Sequence, residues 1–176
     1  MFETLFEQDK REYELPLYIQ PLSIQDRGWI TTLLRNNWGT ELIITRGKLH
    51  RAIDYPGFIA YQNKNKVGLV IYHIAGDECE LVSLNSLREG IGVGGALVEA
   101  VKKKALLSGC KRLWLITTND NLKAMAFYQK RGFRLVVVYP DAIRESRRIK
   151  PEIPEIGSHN IPIRDEIELE ILLEKI

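Results

Sequence analysis

Leu87–Ala105 reads LREGIGVGGALVEAVKKKA. Four glycines, Gly90, Gly92, Gly94 and Gly95, fall within six residues, and an apolar-periodic segment follows. A loop of this kind opening a helix offers an anion unpaired backbone N–H donors and a partial positive charge. Its glycines let the backbone approach without a Cβ in the way. Gly90–Gly95 satisfies G-x-G-x-x-G, the dinucleotide fingerprint. A different phosphate loop shares the same glycines, so the surrounding sequence must decide.

A dinucleotide site wants its first glycine at the end of its strand, near the start of the nucleotide domain. Here the strand ECELVSLN, residues 78–85, is followed by Ser86, Leu87, Arg88 and Glu89 before Gly90. Most of what precedes it reads as hairpin strands rather than βαβ units. GFIAYQ (57–62) and KVGLVIYHI (66–74) are joined by the turn NKNK, and AGDE makes the next turn. Asp120 stands where a ribose-binding acid would fall. Its neighbours are Asn119 and Asn121 and it opens a helix, so capping accounts for it. An oxidoreductase of the dinucleotide-binding class is therefore the remote alternative.

Working outward, LYIQPL (17–22) reads as a short strand. SIQDRGWITTLLRNNWG (23–39) reads as a helix capped by Ser23, striped by Ile30, Leu33 and Leu34, and stopped by Gly39. Downstream of the glycine loop a helix is expected from Gly94 to Leu107. Val93, Leu97, Val98, Val101 and Ala105 form its apolar face, and Gly109 ends it. RLWLITT (112–118) is a buried strand, NDNLKAMAFYQKR (119–131) an amphipathic helix stopped by Gly132, and FRLVVVY (133–139) another strand. Residues 141–165 read as irregular. EIELEILL (166–173) closes the chain as a strand in which Ile167, Leu169 and Ile171 alternate with glutamates. The order β-α-β-β-β-α-β-α-β-loop-β predicts an α/β (α+β) fold with a mixed sheet and helices packed on it. Residues 1–15 read as a polar tail, leaving one domain over residues 16–176.

The composition fits one globular domain: 176 residues, 45% hydrophobic and 27% charged. A net charge of +2 is too small to make nucleic acid the main partner. The first fifteen residues mix charges and lack an apolar signal region, and no apolar run approaches a membrane span. Cys79 and Cys110 form no framework and no metal spacing, so a reducing cytoplasm and no metal are expected. They read as core residues rather than nucleophiles. His50, His73 and His159 show no ligand spacing.

The companion of the glycine loop lies in NDNLKAMAFYQKRGF. It places Asn121, Ala124, Phe127, Tyr128, Gly132 and Phe133 as N-x-x-A-x-x-F-Y-x-x-x-G-F. Together with EGIGVGGAL, this resembles the GNAT superfamily of acyl-CoA N-acyltransferases. The motifs cover roughly residues 57–139, and the element order extends the likeness to most of the chain. The resemblance implies a GNAT-like single domain with a mostly antiparallel central sheet, helices on both faces and a splayed βαβ site for acyl-CoA. It implies acetyl-CoA as cosubstrate. Backbone N–H groups across Gly90, Ile91, Gly92, Val93, Gly94 and Gly95 would cradle its pyrophosphate. Leu84 and Asn85 would pair with the pantetheine arm, and Asn121 and Ala124 would meet that arm from the far side. Tyr128 would point at the thioester sulfur. Glu89 departs from the family pattern, where glutamine or arginine is usual. A carboxylate facing the pyrophosphate would be unfavourable; either Arg88 supplies the missing charge or Glu89 faces solvent.

The implied chemistry is acyl transfer to a primary amine by direct attack. It needs a neutral nitrogen, a donor for the oxyanion (a backbone N–H near Leu84) and a proton for the leaving thiolate. Tyr128 is the general-acid candidate, since a phenol is protonated at neutral pH. Glu80 and Glu78 are the base candidates; alternation puts both on one face, so the sequence does not choose, and Glu80 is ranked first. Each has a plain alternative: Tyr128 as a packed aromatic, the glutamates as solvated edge charges, Asn121 as a cap only. Lys102–Lys104 read as a solvated face.

Two segments are candidates for the acceptor site. Residues 36–57, read as a loop, carry Trp38, Arg46, His50 and Asp54. The irregular segment after Tyr139 carries Arg144, Arg147, Arg148 and Lys150, expected to form a structured lid or an anion site. A small-molecule amine is the expected acceptor, with no nucleic acid and no membrane as partner. The alternatives are a protein lysine or N-terminal acetyltransferase, or a non-catalytic CoA-binding domain. Dimers are common among such folds, and a homodimer stays open.

Overall fold

A computed structural model of the protein describes residues 16–173; the polar tail expected over residues 1–15 lies outside them. β4 (Gly57–Gln62) and β5 (Asn65–Ala75) form a hairpin whose two-residue turn places Asn63 and Lys64 at φ 46° and 65°. Two positive φ values in succession give the twist a tight hairpin needs. β6 (Glu78–Ser86) continues the antiparallel run. α2 (Val93–Leu107) then crosses over to β7 (Arg112–Thr118), which runs parallel to β6. β9 (Glu166–Leu172) and β8 (Arg134–Tyr139) complete the sheet with antiparallel partners. With β1 (Tyr18–Pro21), the order is β1-β4-β5-β6-β7-β9-β8. Only β6 and β7 are parallel, so the sheet is mixed and mostly antiparallel, as expected.

Alternation along β4 and β5 sends their side chains to two separate cores. Ile59, Leu69, Ile71 and Val82 pack with Ile30, Leu33 and Leu34 of α1 (Arg27–Trp38). Ala60, Val70, Tyr72 and Leu81 pack on the other face with Val93, Leu97, Val98, Val101 and Ala105, all five of the expected stripe. α3 (Leu122–Gln129) adds Tyr128 to this second core. Helices therefore cover both faces. Each fully buried Leu or Val contributes roughly 1.5–3 kcal/mol relative to exposure. The close seating of α2 depends on Gly68 of β5. A Cβ there would lie 2.4 Å from Val93 Cγ1 and 2.9 Å from Leu97 Cδ1.

Two segments read as loops are structured. Residues 36–57 contain the hairpin β2 (Leu42–Thr45) and β3 (Lys48–Arg51), turned by Arg46 and Gly47 at φ 51° and 69°. The segment after Tyr139 contains α4 (Ala142–Ile149), which buries Ile143 and Ser146. The expected start of the first helix also shifts. Ser23 precedes a 3-10 turn at Ile24–Asp26, and Asp26 Oδ2 accepts bonds from Ser23 N and Oγ, both at 2.8 Å. Asp120 is not the cap of α3. Asn121 caps it, accepting from Ala124 N at 3.1 Å, while Asp120 accepts from Thr118 Oγ1 at 2.6 Å and Ser158 N at 2.9 Å. Asp120 is thus a fastening for the loop before β9, which frees it of any role toward a ribose.

Candidate active site

β6 and β7 pair only through Glu78–Arg112, Cys79–Leu113 and Glu80–Trp114. Beyond Glu80 the two strands diverge, which leaves a cleft between Leu81–Ser86 and Leu115–Thr118. The register of β6 on β5 also shifts between Ile71 and Tyr72, so that Val82 is an extra residue opposite that step. A bulge at this point bends the strand and leaves backbone groups outside the ladder.

The wide end of the cleft meets the glycine loop. Gly90 and Gly92 adopt φ 81° and 83°, and Gly92 precedes the first turn of α2. The helix ladder begins with Ala96 N donating to Gly92 O at 3.0 Å, so the amides of Val93, Gly94 and Gly95 point out of the helix end unpaired by it. A Cβ on Gly94 would come within 3.0 Å of the Phe127 ring. These features fit a phosphate at the loop and an extended arm in the cleft.

Glu89 faces solvent and forms an ion pair with Lys123; both side chains are exposed. Arg88 turns back to the sheet, donating to Gln62 Oε1 at 2.9 Å. The cation beside the loop is instead Arg131. A Cβ on Gly95 would lie 3.2 Å from its guanidinium, which donates to Phe127 O at 2.9 Å and stacks over the Phe127 ring. Leu84 and Ala124 are half-buried at the cleft, as are Asn121 and Ile91, while the Val93 side chain is buried in the core. The Asn85 side chain is buried, donating to Ser83 Oγ and accepting from Asn37, both at 2.9 Å. It is turned toward α1, so only its backbone is left for the cleft. Tyr128 is buried between Phe127 and Phe133, with edge-on contacts at 5.0 and 5.3 Å. Burial pushes its hydroxyl well above the usual phenol range, against a smaller opposing effect of Arg131.

At the narrow end, a cavity of about 290 Å³ is walled by Thr45, Arg46, Lys48, His73, Ala75, Glu78, Glu80 and Trp114. Glu80 is 4% exposed and accepts from Thr45 Oγ1 at 2.7 Å. Burial raises its carboxyl above the usual carboxylate range, opposed by the Thr45 bond and the nearby Lys48 and Arg46 charges. Glu78 also lines the cavity, but Arg112 holds both its oxygens at 2.9–3.0 Å. The two thus differ: Glu80 is buried and bonded to a neutral hydroxyl, Glu78 is ion-paired. Arg46 stands at the cavity, its guanidinium 4.8 Å from the Tyr139 ring and 3.7 Å from Glu168. His50 does not line the cavity. It is wholly buried behind it, and burial, with the Lys48 and His73 charges, pulls its imidazole down to about 4. Trp38 lies apart at the end of α1, 48% exposed, and Asp54 pairs on the surface with Arg27 and Arg51.

The basic segment serves structure. Arg147 donates to the carbonyls of Ile153, Pro154 and Ile163, and Lys150 Nζ donates to those of Trp38 and Leu42 at 3.0 and 3.1 Å. Arg148 pairs with Glu145, and Arg144 is exposed. Lys150 thereby ties α4 to the base of the β2–β3 hairpin. Sequence reasoning missed Thr45, Lys48, Trp114 and the β9 carboxylates. Glu166 and Glu168 are 1% and 3% exposed, and Glu168 accepts from Arg112 at 2.9 Å and Tyr139 at 2.7 Å. The period-two glutamates of β9 were the available signal. Among the described residues, no group of three or more His, Cys, Asp or Glu side chains is placed to hold a metal ion.

Comparison with known proteins agrees with this geometry. The acetyltransferase (GNAT) family profile matches residues 19–133. The uncharacterized protein YdhI of Bacillus subtilis (strain 168) is 44% identical over 140 residues, which is 78% of this chain and 87% of that protein. An IAA acetyltransferase from Bacillus cereus ATCC 14579 shares the fold with a TM-score of 0.68 at 20% identity, over 90% of this chain and all of that one. A GNAT family acetyltransferase from Elizabethkingia anophelis, with acetyl-CoA bound, superposes with a TM-score of 0.63 at 21% identity, over 89% of this chain and 98% of that one.

Proposed function

Because the chain belongs to the acetyltransferase (GNAT) family, we propose that it transfers an acetyl group from acetyl-CoA to the primary amine of a small molecule. The observation that carries this is the position of Glu80. It is the last β6 residue paired with β7, where the cleft closes and the cavity begins. A thioester reaching down the cleft from the glycine loop and an amine in the cavity would meet there. Bringing both reactants to one point is itself a large part of catalysis.

Glu80 takes a proton from the amine nitrogen. A carboxylate raised by burial is a better base at neutral pH than an ordinary surface glutamate. The neutral nitrogen attacks the thioester carbonyl and gives up that proton as the C–N bond forms, and the tetrahedral intermediate then expels the thiolate as the C–S bond breaks. Tyr128 donates to the departing sulfur. Its raised pKa keeps the phenol protonated, so it is a hydrogen-bond donor to the departing thiolate, and a proton passed to the sulfur is regained from solvent, to which Glu80 gives up the one it took. Val82, at the bulge, supplies backbone for the developing oxyanion. A cavity of about 290 Å³ suits a small acceptor, and the Lys150 bonds to Trp38 and Leu42 fix the base of the hairpin that walls it.

Calorimetric titration with acetyl-CoA, with CoA and NADH as comparators, tests the cosubstrate. Micromolar acetyl-CoA binding that survives Tyr128→Phe is expected. A panel of small amines assayed by release of free thiol then tests turnover. Absence of acetyl-CoA binding would overturn the proposal. Turnover confined to peptide N-termini would replace the small acceptor with a protein.

A further inference from the structure

We infer that Tyr55, His50 and Thr45 form a one-way chain of hydrogen bonds that ends on Glu80 and positions its carboxylate. The inference rests on Glu80 as the base, but the chain can be tested without that role. His50 lies on β3 with both ring nitrogens engaged. Nε2 is 2.8 Å from Thr45 Oγ1, and Nδ1 is 3.2 Å from the Tyr55 hydroxyl. Thr45 Oγ1 carries one proton, and it donates that proton to Glu80 Oε1 at 2.7 Å. Thr45 must then accept from His50, so the imidazole proton sits on Nε2. Nδ1 is left bare and accepts from Tyr55. Three protons in series point toward the carboxylate.

The backbone makes this arrangement. In the β2–β3 register Thr45 pairs with Lys48 and Ile43 with His50, so Thr45 and His50 share a face of the hairpin. The 3-10 turn Ala52–Asp54 then brings Tyr55 back beneath the imidazole. The Tyr55 ring also packs against His73, 4.6 Å away, which lines the cavity. The chain thus reaches the base from behind, and of its members Thr45 alone lines the cavity.

The chemistry of the chain matters as much as its geometry. A cation directly bonded to Glu80 would hold the carboxylate charged and make it a poor base. Here the bonded partner is a hydroxyl, and the imidazole behind it is neutral, since burial pulls it down to about 4. His50 Nε2 lies 3.7 Å from Glu80 Oε1, so Thr45 bridges them. The other groups facing Glu80 are Arg46 and Lys48 from the hairpin, His73 from β5, Glu78 on its own strand, Arg112 from β7 and Glu168 from β9. Arg112 is matched by Glu78, Glu168 and Glu170. With Oε1 fixed by Thr45, Oε2 is the oxygen left for the cavity, and it receives the single proton that leaves the amine. The protons of the chain stay where they are.

Nitrogen-15 NMR of the whole protein reads the tautomer, and carbon-13 NMR of labelled glutamate reads the Glu80 titration. His50 is expected as the neutral tautomer with the proton on Nε2 from pH 5 to 8. Thr45→Val is expected to raise the Glu80 midpoint by about one pH unit, a tenfold change in its protonation equilibrium. Thr45→Ser is expected to restore it. Tyr55→Phe removes the donor to Nδ1, and the Nδ1 resonance is expected to move to that of a bare nitrogen with no hydrogen bond while the proton stays on Nε2. A proton on Nδ1 in the wild type would overturn the inference, as would a Glu80 midpoint unmoved in a folded Thr45→Val protein. If Thr45→Val does not fold, an Nδ1 resonance unmoved in Tyr55→Phe overturns it. If the tautomer and midpoint behave as expected but Glu80→Gln retains full turnover, the chain stands and the base assignment falls.

Discussion

At the residue scale, the proposed role of Glu80 makes a specific demand on the kinetics. On the proposed mechanism, Glu80→Gln removes the base while keeping the size of the side chain. A loss of roughly 10²–10⁴-fold in kcat is expected, with acetyl-CoA affinity unchanged by calorimetry. In the wild type the base works only when deprotonated, so kcat/KM falls as pH drops through the Glu80 midpoint. Because burial raises that midpoint, the acid limb lies above the usual carboxylate range, and it disappears in Glu80→Gln. His50 has a different signature, in stability. Its folded pKa of about 4 lies below the ordinary value of 6.5, so the folded state resists protonation. Stability is full above pH 6.5 and declines as pH falls toward 4, by at most about 3 kcal/mol. Urea unfolding of the wild type and His50→Gln across that window checks it: the slope flattens in the variant. Glu80 and Glu166, both raised by burial, act with the opposite sign and cost stability as pH rises past the ordinary carboxylate range.

At the scale of elements, α2 shows what sequence reasoning can reach. Val93, Leu97, Val98, Val101 and Ala105 sit on one stripe of a 3.6-residue repeat, and the structure buries all five. Leu97→Ala is expected to cost about 2–5 kcal/mol by chemical denaturation, because Gly68 leaves α2 tight against β5 with little room to relax. β4, β6 and β7 were equally legible, since alternation and turn residues bound them. The β2–β3 hairpin was not. Its strands are four residues each, its turn is Arg46-Gly47, and the face it buries mixes apolar Ile43 with polar Thr45 and His50. α4 was hidden for a related reason: RESRRI carries almost no apolar stripe, and the helix is held by Ile143, Ser146 and the Lys150 bonds to a distant segment. The glycine loop was legible because its conformation is local. The cavity was not, because His73, Glu80 and Trp114 come from three strands of the large sheet and Thr45 from the separate β2–β3 hairpin, which meet only in the folded protein. Lys150→Ala is expected to loosen the hairpin base, raising the acceptor KM several-fold while leaving acetyl-CoA affinity intact.

At the scale of the whole molecule, two properties follow from how the sheet ends and where it parts. β8 is an edge strand whose Leu135, Val136, Val137 and Val138 are 39–56% exposed. Uncovered apolar edges template association, so Val138→Lys is expected to slow aggregation on heating, followed by light scattering. The other property concerns the interior. Saturating acetyl-CoA, at a hundred times its Kd, adds about 2.7 kcal/mol by mass action, which at this chain length is roughly 5–10 °C in Tm. That gain has a specific place in the molecule. β1, β4, β5 and β6 form one panel of the sheet, β7, β9 and β8 another, and three residue pairs are all the ladder that joins them. Arg112 reaches across that join as a rivet, fastened to Glu78 on one panel and to Glu168 and Glu170 on the other. The join is a seam left mostly unsewn, and the acyl-CoA arm proposed to lie in the gap would supply the missing stitches. The two panels then flex against each other more freely in the empty protein than in the loaded one, and amide exchange along β7 slows when the gap is filled.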